Sequence, residues 1–172
     1  MSPSVPLPFD PIDEARRQWR EHGWGDAADG MAAVTSIVRA QQIYLSRIDS
    51  VLRPFGLTFA RYEVLMLLLF SRAGSMPLNK VGSRLQVHPT SVTNAVDRLE
   101  ATGLLRRVPH PTDRRTTLAE ILPPGRELAL RATEAVNAAV FVDPQLDGAQ
   151  TGQLLQILSQ LRRAAGDFDT AG

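Results

Sequence analysis

A mainly helical fold carrying one small β-hairpin is what the sequence predicts, on three observations. Apolar residues recur at helical spacing through most of the 172 residues. Helix starts and stops follow one another in order: Asp10 with Pro11, Gly23, Pro54, Thr58, Pro89, Gly103 and Pro123. One stretch alone, Leu104 to Ile121, breaks into short β-compatible segments around a proline-bounded tip.

Residues 1–9 hold three prolines and no periodicity and read as an irregular leader. Residues 10–23 then read as a short added helix bearing Trp19: Asp10 caps, Pro11 suits the first helical position, Asp13 and Glu14 oppose the helix dipole, and Gly23 stops it. An acidic, glycine-containing link follows. Within 30–56, Val34, Ile37, Val38, Leu45, Ile48 and Leu52 keep helical spacing until Pro54 and Gly56 break it.

Thr58 is the expected N-cap of "FARYEVLMLLLFSRAG", whose nearly continuous apolar run marks the central, buried helix. In "PLNKVGSRLQ", Leu78, Val81 and Leu85 share one face of a short helix, and a turn-sized gap leads to His88 and Pro89, which open the next. That second helix turns Val92, Val96 and Leu99 to one side and Thr90, Asn94, Asp97 and Arg98 to the other, with Gly103 as its stop. "LLRRV" and "TTLAEI" are the hairpin strands, with Pro109, Pro111 and Thr112 in the tip. Pro123, Pro124 and Gly125 lead into a helix reaching about Phe141. Asp147 and Gln150 form a capping box ahead of Leu154, Ile157, Leu158 and Leu161. The tail from 166 to 172 reads as frayed.

The net charge is only +1, so binding to nucleic acid requires that charge be segregated onto one face. It is. Met1 to Ser50 carries seven acidic against five basic residues, whereas Arg84 to Arg115 carries six arginines against three acids. The absence of cysteine excludes disulfides, thiolate metal sites and thiol redox sensing, and the three histidines are scattered. No signal-peptide pattern opens the chain, and "VLMLLLF" is too short to span a bilayer, so a cytoplasmic protein without membrane association is expected.

A short helix, a tight turn, a polar-faced second helix and a basic hairpin describe a winged helix-turn-helix over 57–121. Thr90, Ser91, Thr93 and Asn94, near the start of the second helix, carry groups that donate and accept at base edges or phosphates. Arg98 suits a backbone phosphate. In "PTDRR" the tip is narrow enough for a minor groove, where guanidinium is favoured. Asp113 is expected to clamp the Arg115 guanidinium, which enters the groove, while Arg114 takes a phosphate.

"LTFARYEVLMLL", "HPTSVTNAVDRLEATGLLRR", "PTDRR" and "PPGREL", in this order, resemble the MarR family of winged-helix transcriptional regulators across about Gly30 to Arg163. Leu122 stands where the family commonly has a capping Thr. The resemblance implies an interlocked homodimer, with 30–56 and 122–165 as the dimerisation helices, and a palindromic double-stranded DNA operator.

The added N-terminal helix is similar to that of the urate- or trans-aconitate-responsive branch. This implies a ligand site at Trp19, Glu63 and Arg107. Because Ala95 replaces an arginine of the urate sensors, a di- or tricarboxylate or an aromatic acid is the expected effector, with Arg107 binding its carboxylate. A repressor released by a small anionic metabolite is therefore expected.

Two other functions compete with this expectation. A winged helix can serve as a protein-protein interaction module without specific DNA binding, which the Asp-Arg-Arg tip argues against. An enzyme would need a nucleophile with its base, a metal cluster or a glycine-rich phosphate cradle, and none stands at usable spacing, nor does any cofactor-binding pattern.

Overall fold

The computed structural model describes residues 6–113 and 115–168. Residues 1–5 of the expected leader, Arg114, and residues 169–172 of the expected tail lie outside the described residues. Seven α-helices and three short strands follow one another: α1 (Pro11–Glu21), α2 (Gly25–Leu52), α3 (Phe59–Phe70), β1 (Ser75–Pro77), α4 (Leu78–Leu85), α5 (Pro89–Ala101), β2 (Leu105–Pro109), β3 (Thr117–Ile121), α6 (Pro123–Val136) and α7 (Gly148–Ala164).

Local chemistry sets most of these boundaries. The Asp10 carboxylate accepts the N–H of Ile12 at 2.8 Å to open α1. Asp147 and Gln150 close the expected capping box on α7, at 2.8 and 3.0 Å. At α3 the cap is tertiary: Thr58 occupies the N-cap but bonds no helix N–H, and the Asp49 carboxylate on α2 accepts from Phe59 N at 2.8 Å instead. The Thr58 hydroxyl accepts from Arg61 Nε, so it is already engaged.

Three sequence expectations need correction. The acidic link before residue 30 is helix: α2 starts at Gly25, because fully buried Ala28 packs it on α1 while Arg16 and Arg20 hold Asp29 at 2.7 and 2.9 Å. The hairpin is part of a three-stranded antiparallel sheet of order β1-β3-β2, since Met76 pairs with Ala119 on the open edge of β3. The helix expected to reach Phe141 leaves α-geometry after Val136 and finishes as a π-helical turn, Asn137–Phe141.

The core lies where α3 meets the winged lobe and α6. Val64, Leu65 and Leu68 of α3 pack with Val81 of α4, Val96 and Leu99 of α5, Leu105 of β2 and Ile121 of β3. Burying such side chains stabilises the lobe by roughly 1.5–3 kcal/mol each. Gly125 permits the tight join to α6: a Cβ there would stand 2.1 Å from the Leu104 carbonyl oxygen, which accepts from Leu122 N at 3.0 Å. No side chain caps α6 at Leu122.

Outside the lobe the apolar surface is bare. Helix α7 buries no residue, and Ile157 is 60% exposed, as is Val34 of α2 at 62%. The chain exposes 12,050 Å², against about 8,300 Å² for a compact monomer of 18.9 kDa. No helix among the described residues is long and apolar enough to cross a membrane.

Candidate nucleic-acid interface

Helix α5 begins at Pro89, and its N-cap His88 accepts the Thr90 N–H on Nδ1 at 3.3 Å, with the Thr90 hydroxyl 3.1 Å from the same nitrogen. Buried Val92, Ala95, Val96 and Leu99 fix the rotation of this helix. That rotation leaves Thr90, Ser91, Thr93, Asn94 and Arg98 exposed. Ser91, Asn94 and Arg98 line one groove with Thr58 and Arg61 at the start of α3. Arg61 escaped the sequence reading, because its place beside α5 depends on how two helices cross. Its guanidinium also donates to the Gly56 carbonyl at 3.1 Å, which orients it along the groove.

The wing is β2 and β3, paired from Leu105 with Ile121 to Pro109 with Thr117. Its tip is braced by the Thr116 carbonyl accepting from His110 N at 3.1 Å and by His110 Nδ1 accepting from Asp113 N at 3.2 Å. Asp113 does not clamp the Arg115 guanidinium as expected. One carboxylate oxygen accepts the backbone N–H of Arg115 at 3.0 Å, and the other accepts the Thr116 hydroxyl at 2.6 Å. An aspartate two residues before an N–H closes a short local turn at less entropic cost than it would hold a long side chain. The Thr116 hydroxyl and then the Arg115 N–H keep its carboxyl below the usual aspartate range. The Arg115 side chain stays exposed, beside Leu78 and Asn79 of α4.

Charge on this face is sorted by pairing. Arg106 is taken by Glu120 at 2.6 Å. Arg107 bridges both acids of the second helix, Asp97 and Glu100. Its backbone N–H, and then its guanidinium, hold the Glu100 carboxyl below the usual range. Arg84, Arg98 and Arg115 make no ion pair among the described residues, so the uncompensated positive charge lies on the helix pair and the wing. A face on which Arg107 partly offsets the acids of α5 while Arg84, Arg98 and Arg115 stay without an ion pair among the described residues suits a polyanion.

Trp19, Glu63 and Arg107 sit on α1, α3 and β2, and no hydrogen bond, ion pair or ring contact joins any two of them among the described residues. Trp19 is half-buried edge-on to Trp24, with ring centroids 5.4 Å apart. Half-buried Glu63 has no polar partner among the described residues, and burial alone pushes its carboxyl above the usual range. No group of three His, Cys, Asp or Glu able to hold a metal occurs among the described residues.

A model of the MarR family matches residues 57–117, the winged segment itself. Sco5413, a MarR family transcriptional regulator from Streptomyces coelicolor, is 51% identical, with a TM-score of 0.75 over 82% of this chain and 98% of that one. This chain belongs to the MarR family. It is a winged helix-turn-helix, DNA-binding transcriptional regulator. A second family member from Streptomyces coelicolor, Sco3205, whose structure is in complex with DNA, is 25% identical with a TM-score of 0.68 over 81% of this chain and 89% of its own. CouR from Rhodococcus jostii RHA1, bound to p-coumaroyl-CoA, is also 25% identical, with a TM-score of 0.63 over 79% of this chain and 91% of its own.

Proposed function

We propose that this MarR regulator is a repressor that binds a palindromic operator as a homodimer in the cytoplasm and leaves it when a small molecule is bound. The observation that carries the DNA half is the sorting of charge: the acids of α5 are masked by Arg107 while Arg98 and Arg115 remain free on adjoining surfaces. In this reading Thr90, Ser91, Thr93 and Asn94 enter the major groove with α5. Arg98 and Arg114 meet phosphates, Arg115 enters the minor groove, and Asp113 shapes the turn at Arg115. Helices α2, α6 and α7 supply the dimer contact. Support for it comes from their bare apolar faces and from a surface about 3,700 Å² larger than a compact chain of this mass needs.

Effector release is supported by the relative bound to p-coumaroyl-CoA. A di- or tricarboxylate or an aromatic acid bound by Arg107, with Trp19 on α1 and Glu63 on α3 as further ligand residues, is one proposal for its class. Such an anion has to exchange with Asp97 and Glu100, which now hold that guanidinium. Regulation then follows directly, since loss of Arg107 unmasks two carboxylates beside the DNA.

The test is a gel shift on the DNA upstream of the protein's own coding region, repeated across salt concentrations. The expected result is protection of two half-sites about 10 base pairs apart and an affinity falling steeply with salt. Binding no tighter than to bulk DNA, with no defined footprint, overturns the reading.

A further inference from the structure

Between α3 and the end of α6 lies a cavity of about 410 Å³, within the range of small-molecule sites. Four aromatic rings line it, those of Phe59, Tyr62, Phe70 and Phe141, together with Met66 and one charged group, Glu63. Phe70 is 76% exposed and Phe141 48% exposed, an unusual cost for two phenylalanines, and both line the cavity that holds Glu63. Phe59 stacks on Tyr62 with centroids 6.3 Å apart, so that wall is already ordered.

The polar groups of the wall leave an anion little to bind. The Tyr62 hydroxyl lies 3.0 Å from that of Thr133, and Thr133 donates to the Ala129 carbonyl at 2.8 Å. Among the described residues no lysine or arginine lines the cavity, and Asn137 contributes the one amide. Glu63, by contrast, has neither an ion pair nor a hydrogen bond among the described residues. A half-buried carboxylate without a partner is destabilised relative to water, and a cation restores what burial removes. Aromatic faces attract positive charge and repel negative charge, and four rings share the cavity with Glu63.

We propose that this cavity binds a hydrophobic organic cation, its charged nitrogen seated between the Glu63 carboxylate and the surrounding aromatic rings. The inference rests on the effector-released regulator proposed above and replaces its anion with the opposite charge class at Glu63. The cavity also suits a release device. Its walls come from α3 and Leu85 of α4 on the lobe side and from Thr133, Asn137 and Phe141 on the α6 side. An occupant therefore sets the angle between the winged lobe and the helices that carry it.

Isothermal titration of the full chain with benzyltrimethylammonium, benzyl alcohol and benzoate tests this, because the three share one ring and differ in charge. The cation is expected to bind at one per chain and at least about tenfold more tightly than either of the others. Glu63→Gln, which preserves size, is expected to cost the cation about tenfold and leave benzyl alcohol unchanged. Phe141→Leu, at the exposed rim, is expected to weaken the cation several-fold more than benzyl alcohol. Equal or tighter binding of benzoate or benzyl alcohol overturns the proposal. So does an undiminished cation affinity in Glu63→Gln, or no cation binding at all, as when a basic side chain of a second copy already fills the site. A gel shift with and without benzyltrimethylammonium keeps the two readings apart. Operator binding with indifference to the cation sinks this inference alone, whereas cation binding without operator binding sinks the proposed function.

Discussion

The winged lobe and the long helices around it solve the burial problem in opposite ways. In the lobe, Val64, Leu65, Leu68, Val96, Leu99 and Leu105 are each almost wholly buried by neighbours from the same chain. Along α7, the apolar residues Leu154, Leu155, Ile157 and Leu161 are all exposed, and α2 buries only Ala28, Ile48 and Leu52 over its 28 residues. The lobe is a finished unit within one chain. In the proposed dimer the arms are half of an interface, which gives their amphipathic pattern a second surface to pack against.

Substitutions on either side of that divide separate the two behaviours. Replacing Ile157 and Leu161 together by Asp places two charges on the bare face of α7. The expected outcome is a monomer in sedimentation with near-native circular dichroism, and an operator affinity lower by about 10²–10⁴, the avidity of two linked half-sites. Leu99→Ala in the lobe is expected to cost about 2–5 kcal/mol in chemical denaturation, because the surrounding core cannot close over the lost volume. Arg115→Ala leaves both regions folded. It is expected to lower operator affinity by about 1–3 kcal/mol, with a salt dependence shallower by roughly one counterion when read by fluorescence anisotropy.

The smallest effect is expected at Asp113. Asp113→Ala removes the acceptor for Arg115 N–H and for the Thr116 hydroxyl, and a several-fold loss of operator affinity is expected. Asp113→Asn keeps an acceptor for the backbone N–H and should recover most of the loss. If Asn behaves like Ala, the carboxylate acts through its charge and the turn is not its role.

The sequence made the helices legible because their signals are local. Asp10, the Asp147–Gln150 box and the apolar spacing of α3, α4 and α5 act within a few residues of themselves, and the structure keeps each of them. What escaped depends on remote partners. Ser75–Pro77 is too short to show a strand period, and it is a strand only because β3 has a free edge. Gly25 to Gly30 look like a link until Ala28 is seen buried against α1.

At the interface, the residue types on α5 and in the wing could be read from spacing, but their electrostatics could not. Asp97 reads as part of the outer face of the helix, whereas Arg107 reaches both it and Glu100 from β2 across the join between helix and wing. Asp113 misled because sequence distance to Arg115 does not distinguish its backbone N–H from its guanidinium. Glu63 was visible as a charge in an apolar helix. Its want of a partner became visible only when α6 was packed against it.

In the proposed dimer a complete DNA-reading lobe is put to use only when the bare arms of two chains meet. Sedimentation velocity of a fluorescent operator duplex, titrated with the native chain and with the Ile157→Asp/Leu161→Asp variant, tests it most directly. Two native chains per duplex, and no stable complex with the variant at the same concentration, are expected. One chain per duplex, bound equally well by native protein and variant, contradicts it.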